Sequence, residues 1–178
     1  MKTLFFALGI ILFVSCTKNG FDLSGVSWPN NNFTITGDSN NKVKADISVG
    51  GTNYPLSAVA LNTVFSRYVL TQYTDSSIIT IAGYDTNNSL EINLINIRTS
   101  GTYSFGHIPG NTHEVKAKCS VRNTNGYIIY YNNDFNVLSG TITIDNITDK
   151  HIQGSFSVTC WNGTQAAGIT NGSFTGNY

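Results

Sequence analysis

From Lys42 to the C-terminus, apolar side chains return at every second position between short clusters of Gly, Asn and Asp, and no stretch keeps a helical spacing of about 3.6 residues for three turns. A period of two sends successive side chains to opposite faces of a pleated strand, one face to be buried and the other wetted. The pattern predicts an all-β chain, with strands over residues 43–49, 54–60, 68–73, 78–84, 90–97, 102–105, 114–122, 127–131, 140–145, 152–161 and 167–174. The links GGTN, TDSS, DTNN and Asn125-Gly126 are short, which implies antiparallel neighbours. Asn125-Gly126 between two alternating runs predicts a two-residue hairpin turn with positive φ at both central residues. The expected architecture is an antiparallel meander of about ten strands, folded into a two-layer sandwich or closed into a flattened barrel.

Parity assigns faces. Val115, Ala117, Cys119 and Val121 point inward, with Lys116, Lys118, Ser120 and Arg122 on a wet face. Phe156, Val158 and Cys160 point inward, with Ser155, Ser157 and Thr159 outward. Leu90, Ile92 and Leu94 alternate while Ile95 and Ile97 run out of phase, so a β-bulge is expected near Leu94. Cys119 and Cys160 are both inward on late strands. They either pair as a disulfide or stay as two buried, inert thiols, and parity leaves both outcomes open.

The N-terminus reads MKTLFFALGIILFVSC: one basic residue, Lys2, an apolar run over residues 4–14, then Ser15 and Cys16. That run is too short for a spanning helix, which needs roughly 20 residues, and reads as a secretory signal over residues 1–15. A cysteine directly after an apolar run and a small residue resembles a bacterial lipobox, with Phe13 standing where Leu is usual. Cys16 is therefore the expected lipidation site, since acyl chains hold a protein on a membrane by about 0.8 kcal/mol per buried CH₂ without any spanning segment. The expected location is the bacterial cell envelope, on the outer membrane. Residues 16–41, rich in Gly, Pro and Asn, read as a tether, and residues 42–178 as a single β domain.

Ten Lys and Arg balance ten Asp and Glu, so no field steers a nucleic acid, and none is an expected partner. No GxSxG elbow occurs, and no Ser or Cys motif is tied to a His. His107 and His113 flank IPGNT beside Glu114, and His151 stands alone; all three are expected as loop residues, with no metal and no cofactor. Asp75, Asp85, Asp134, Asp145 and Asp149 fall in predicted turns, where Asp serves its own backbone rather than opposing a second acid for glycoside hydrolysis. The chain is expected not to be an enzyme. Its aromatics are the richer resource, because tyrosine joins an apolar ring to a hydroxyl. Tyr127 and Tyr131 share a parity, Tyr130 takes the other, and Trp161 lies on the polar parity of its strand just before Asn162-Gly163. These four are the candidate binding aromatics; Trp161 either forms a platform or caps an open end of the core.

A phrase recurs: GTYSF from Gly101, GTITI from Gly140, GSFSV from Gly154 and GSF from Gly172. The unequal spacings of 39, 14 and 18 residues exclude a solenoid of fixed period and mark strand starts instead. The order GTITI, GSFSVTCWN, ITNGSF resembles a group of small Bacteroidota lipoproteins built on a β-rich domain of unknown function. The resemblance covers residues 42–178 and implies an envelope-anchored β domain; it brings no catalytic or ligand residues. The expected function is a membrane-anchored binding module for a glycan, a peptide or a partner protein. Its alternatives are a barrel that carries a small apolar ligand, or a hydrolase.

Overall fold

A computed structural model describes residues 38–70, 76–106, 112–133 and 139–178. The expected signal, Cys16, most of the expected tether, His107, Asp75 and Asp134 lie outside the described residues. The period-two pattern is realised in eleven strands among the described residues: β1 (Lys42–Val49), β2 (Thr52–Val59), β3 (Thr63–Leu70), β4 (Ser76–Tyr84), β5 (Asn88–Ile95), β6 (Gly101–Ser104), β7 (Glu114–Arg122), β8 (Ile128–Asn132), β9 (Gly140–Ile147), β10 (His151–Trp161) and β11 (Ala166–Asn177). Every pairing between them is antiparallel, in the order β2-β1-β11-β10-β8-β7-β5-β4-β3, with β9 on β10 and β6 on β9. The sheet curls into a nearly closed, flattened barrel. β10 meets β8 only at Trp161 and Asn132; β2 and β3 end the main strand order, and β6, paired only with β9, is a further edge. Pro55 sits on edge strand β2, where a missing N–H breaks no ladder.

The meander expectation fails at β6. This short strand leaves β5 and pairs with β9, so that β5 pairs directly with β7. Four residues cannot bury a face of their own. Phe105 immediately after them is fully buried, and its N–H donates to the Gly140 carbonyl, which draws the segment to β9. β3 also starts earlier than its pattern implied, at Thr63, because its inward side chains include the polar Thr63 and the alternation is hidden.

The core is a single cluster of alternating side chains that includes Val43, Ile47, Leu56, Phe65, Ile81, Leu90, Ile92, Leu94, Val115, Val121, Ile142, Phe156 and Ile169. The bulge expected near Leu94 does not form. β5 keeps unbroken register with β4 and β7; Asn96 then turns the chain with φ of 58°, and Ile97 re-enters the core after the turn. The slips occur elsewhere. At Asn171, φ 51°, both neighbours of β11 shift register, so Ala167 and Ile169 face inward before it and Gly172 and Phe174 after it. The β7–β8 hairpin is present, but its turn differs from the expected one. Gly126 donates to the Asn123 carbonyl and alone has positive φ (84°), while Asn123 Oδ1 accepts from the N–H groups of Asn125 and Tyr127. This is a type I turn closed by a glycine bulge, which a side-chain acceptor at Asn123 stabilises over the two-residue form. Ser120 is buried, contrary to the wet-face expectation, because Ser89 and Tyr130 flank it in the neighbouring strands and its Oγ lies 2.7 Å from Ser89 Oγ.

Asp38 and Asn41, placed in the tether by composition, belong to the folded domain. Asn41 is fully buried, its carbonyl accepts from Ala60 N–H, and its Oδ1 accepts from Asn177 N–H. The N–H of Asn40 and then the Asn177 side-chain amide hold the Asp38 carboxyl below its ordinary value of 3.8. A depressed carboxylate stabilises the fold above the unfolded value and loses that contribution as pH falls through the folded one. Asp38→Asn should therefore flatten the acid limb of a plot of urea midpoint against pH, below pH 3.8, and leave the neutral region parallel to wild type.

Candidate functional site

The pattern of β8, Ile-Ile-Tyr-Tyr-Asn, splits its side chains between two environments. Tyr131 points inward and is completely buried, packed opposite Cys119 of β7. Tyr131 therefore leaves the set of surface aromatics, since parity that matched it to an inward strand position also removed it from solvent. Ile128, Tyr130 and Asn132 point outward, and Tyr130 is 68% exposed. Trp161, the last residue of β10, pairs with Asn132 and is 52% exposed. Diagonal neighbours on one face of an antiparallel pair lie about 7–8 Å apart, which brings Trp161 and Tyr130 within one ligand's reach. Tyr127 stands at the turn end of the same hairpin, 71% exposed, with its backbone clamped by Asn123.

The groups around Trp161 are mostly uncharged, while Arg122 stands beside the Tyr127 end of the hairpin. Ser155, Ser157 and Thr159 lead along the outer face of β10 to Trp161. Lys118, cross-strand from Asn132, is offset by Glu91 at 3.5 Å. After Trp161 the chain turns on Asn162, whose Oδ1 accepts from the N–H groups of Thr164 and Gln165.

A cleft of about 470 Å³ opens at the barrel end formed by the start of β2, the β4–β5 turn and the β7–β8 turn. Tyr54, Asp85, Asn88 and Arg122 contribute to its wall. Asp85 Oδ1 accepts from the N–H groups of Asn87 and Asn88, each at 2.8 Å, and so shapes the turn as its position implied. Arg122 Nη1 donates to the Gly126 carbonyl at 3.1 Å. Asn88 is 7% exposed; its Nδ2 donates to the Pro55 carbonyl at 3.1 Å, and its Oδ1 is buried with no partner. A buried acceptor left unmade costs about 1–3 kcal/mol. Sequence reasoning missed this cleft because three distant turns build it. The only signal was the density of Asn and Asp in those turns.

Several other chemistry-bearing groups among the described residues have structural partners. Cys119 and Cys160 come together in the core as free thiols, and Cys160 Sγ lies 4.0 Å from the Ala117 carbonyl. The structure thus brings the two expected cysteines together without bridging them. The hydrogen bond with Cys160, followed by burial, pushes the Cys119 thiol far above the ordinary thiol range, which makes it a poor nucleophile. His113 stands edge-on to Tyr103, with centroids 5.5 Å apart, and His151 Nδ1 is 2.9 Å from Asn177 Oδ1. Asp149 pairs with Arg67 at 2.8 Å. Among the described residues, no three His, Cys, Asp or Glu side chains converge on a point that a metal ion could occupy.

Compared with known proteins, residues 56–176 match the family model described as a domain of unknown function, DUF6252. No curated protein and no solved structure matches the chain.

Proposed function

We propose, for a chain that belongs to the DUF6252 family, that it is an envelope-anchored, non-enzymatic lipoprotein whose β domain binds a neutral glycan through Trp161, Tyr130 and Tyr127. The observation that carries this reading is the exposure of Trp161 and of Tyr130, two residues from the Asn132 with which Trp161 pairs. An exposed aromatic ring offers a pyranose its apolar C–H face a surface to stack on, and the neighbouring Ser, Thr and Asn groups answer the sugar's hydroxyls. The absence of net charge in the chain and the local offset of Lys118 by Glu91 suit an uncharged ligand.

Interior packing favours surface binding over an apolar cargo inside the barrel. A Cβ built on Gly172 would lie 2.5 Å from the Phe156 ring, and one on Gly176 would lie 2.5 Å from Phe65. Inner positions that cannot accept a methyl group leave no room for a ligand beside them. The anchor rests on the sequence alone, on Cys16 after Ser15 and the apolar run. Cys16→Ser should abolish incorporation of labelled palmitate and release the protein from the membrane fraction. Label retained in the variant would contradict the anchor.

A further inference from the structure

We infer that the end of the barrel where the chain enters from its anchor rests on the lipid surface, with Leu61 and Val59 as the apolar contact. The inference rests on the envelope-anchored reading above and deepens it; the glycan placement stands apart from it. Hydrogen bonds fix the entry point. The Asn41 carbonyl accepts from Ala60 N–H, Asn41 Oδ1 accepts from Asn177 N–H, and Asp38 Oδ2 accepts from the Asn177 side-chain amide. Asp38 lies about 20 residues after Cys16, so even full extension keeps it within about 70 Å of an acylated cysteine. So short a link holds the domain at high effective concentration over the bilayer, where a weak contact suffices.

A single 3₁₀ turn, Ala60–Asn62, presents the contact. Ala60 has φ of 49°, a left-handed conformation that is costly for a residue with a Cβ and persists only where its surroundings impose it. Here they do. Ala60 N–H is bound by Asn41, the Ala60 carbonyl accepts the Thr63 hydroxyl at 2.6 Å, and the Leu61 carbonyl accepts the Tyr84 hydroxyl at 2.7 Å. The turn is pinned through its backbone while the Leu61 side chain stands 79% exposed. Val59, just before the turn, is exposed as well and pairs with the exposed Lys42. Single exposed apolar residues are ordinary. A strained, rigid turn that holds Leu61 out beside Val59, next to the entry point of a lipid-anchored chain, has the form of an interfacial wedge. Lys42, Lys150, Asp38 and the Arg67–Asp149 pair leave this end near neutrality, so apolar insertion rather than charge drives the contact. β10 runs from His151, bonded to Asn177 at this end, to Trp161 about 33 Å along the strand. A domain standing on its entry end holds Trp161 away from the lipid.

The test places the full mature lipoprotein in nanodiscs of about three parts phosphatidylethanolamine to one of phosphatidylglycerol, with a small share of lipid carrying a nitroxide on its acyl chain. Methyl, ring and indole resonances are followed by NMR for wild type, Leu61→Asp and Leu61→Ser. The expected result is nitroxide broadening of the Leu61 and Val59 methyl signals, unchanged by high salt, with Trp161 and Tyr130 spared. Either substitution should cut the broadening at Val59 by about fivefold. Leu61 is exposed, so both variants should keep the folded spectrum. Equal broadening at Val59 and Trp161, or broadening at Val59 indifferent to both substitutions, would overturn the inference. Leu61 shifts that grow with protein concentration in the absence of lipid would overturn it in favour of a second copy of the chain. An acylated, disc-bound protein without selective broadening sinks this contact alone, whereas a protein that carries no acyl chain and stays out of the discs sinks the anchor together with it.

Discussion

Gly154→Val should cost the domain about 3 kcal/mol or more, enough to leave little folded protein if its stability is ordinary. Gly154 lies on β10 where β9 and β11 close on it from both sides. A Cβ there would run into the Thr143 carbonyl oxygen and stand 2.7 Å from Phe174 Cζ. Backbone cannot yield as a flexible side chain can, and strand spacing on both sides is fixed by ladders. Gly168→Val supplies the control. It introduces the same side chain on β11, at a glycine with nothing within 4 Å of its would-be Cβ, and should shift stability by less than about 0.5 kcal/mol. Urea midpoints by circular dichroism decide it; equal midpoints for the two variants would refute the close-packing explanation.

The same packing explains the repeated GSF phrase. Antiparallel register sets Gly154 opposite Phe174, Ser155 opposite Ser173 and Phe156 opposite Gly172. Each copy thus supplies the glycine on which the other copy's phenylalanine rests, and the two rings meet with centroids 6.2 Å apart. The serines between them face solvent. The phrase was visible in the sequence as two strand starts, but its self-complementarity depends on the extra residue at Asn171. That bulge brings the GSF of β11 into phase, and one Asn before a Gly does not distinguish it from any turn. Strand faces were legible wherever alternation was clean, as in β7, where all four inward assignments hold. The placement of β6 was not, because a four-residue strand is positioned by the burial of Phe105 against distant elements rather than by its own pattern.

Trp161→Ala and Tyr130→Ala should each weaken glycan binding by about tenfold, and together by on the order of a hundredfold, with the urea midpoint unchanged. Both rings are exposed, so truncation removes contact area from the ligand and little from the core. Tyr131→Phe separates the surface from the interior: it deletes a buried hydroxyl that has no partner and should leave affinity where it was. If the double variant loses binding only in proportion to lost folding, the rings serve stability and the placement is wrong.

How much of this site the sequence carried follows from its physics. Trp161 lies on the polar parity of β10 and Tyr130 on the parity opposite Tyr131, which assigned their faces but left Trp161 open between a platform and a cap on the core; the structure leaves both rings exposed. Tyr127 could be read as a turn neighbour but not as exposed, because the hairpin closes one residue later than the alternation suggested and β8 begins at Ile128. The approach of Trp161 to β8 could not be read at all. It requires β10 to reach β8 at the single Trp161–Asn132 pairing, a contact between segments that no hairpin links.

The most direct measurement is a titration of the intact mature protein with soluble neutral oligosaccharides, followed through the Trp161 indole N–H resonance, assigned by its disappearance in Trp161→Ala. Binding at the exposed rings predicts a saturable displacement of that resonance with at least one oligosaccharide. An indole signal that stays fixed across the glucan, galactan and chitin-derived series would contradict it.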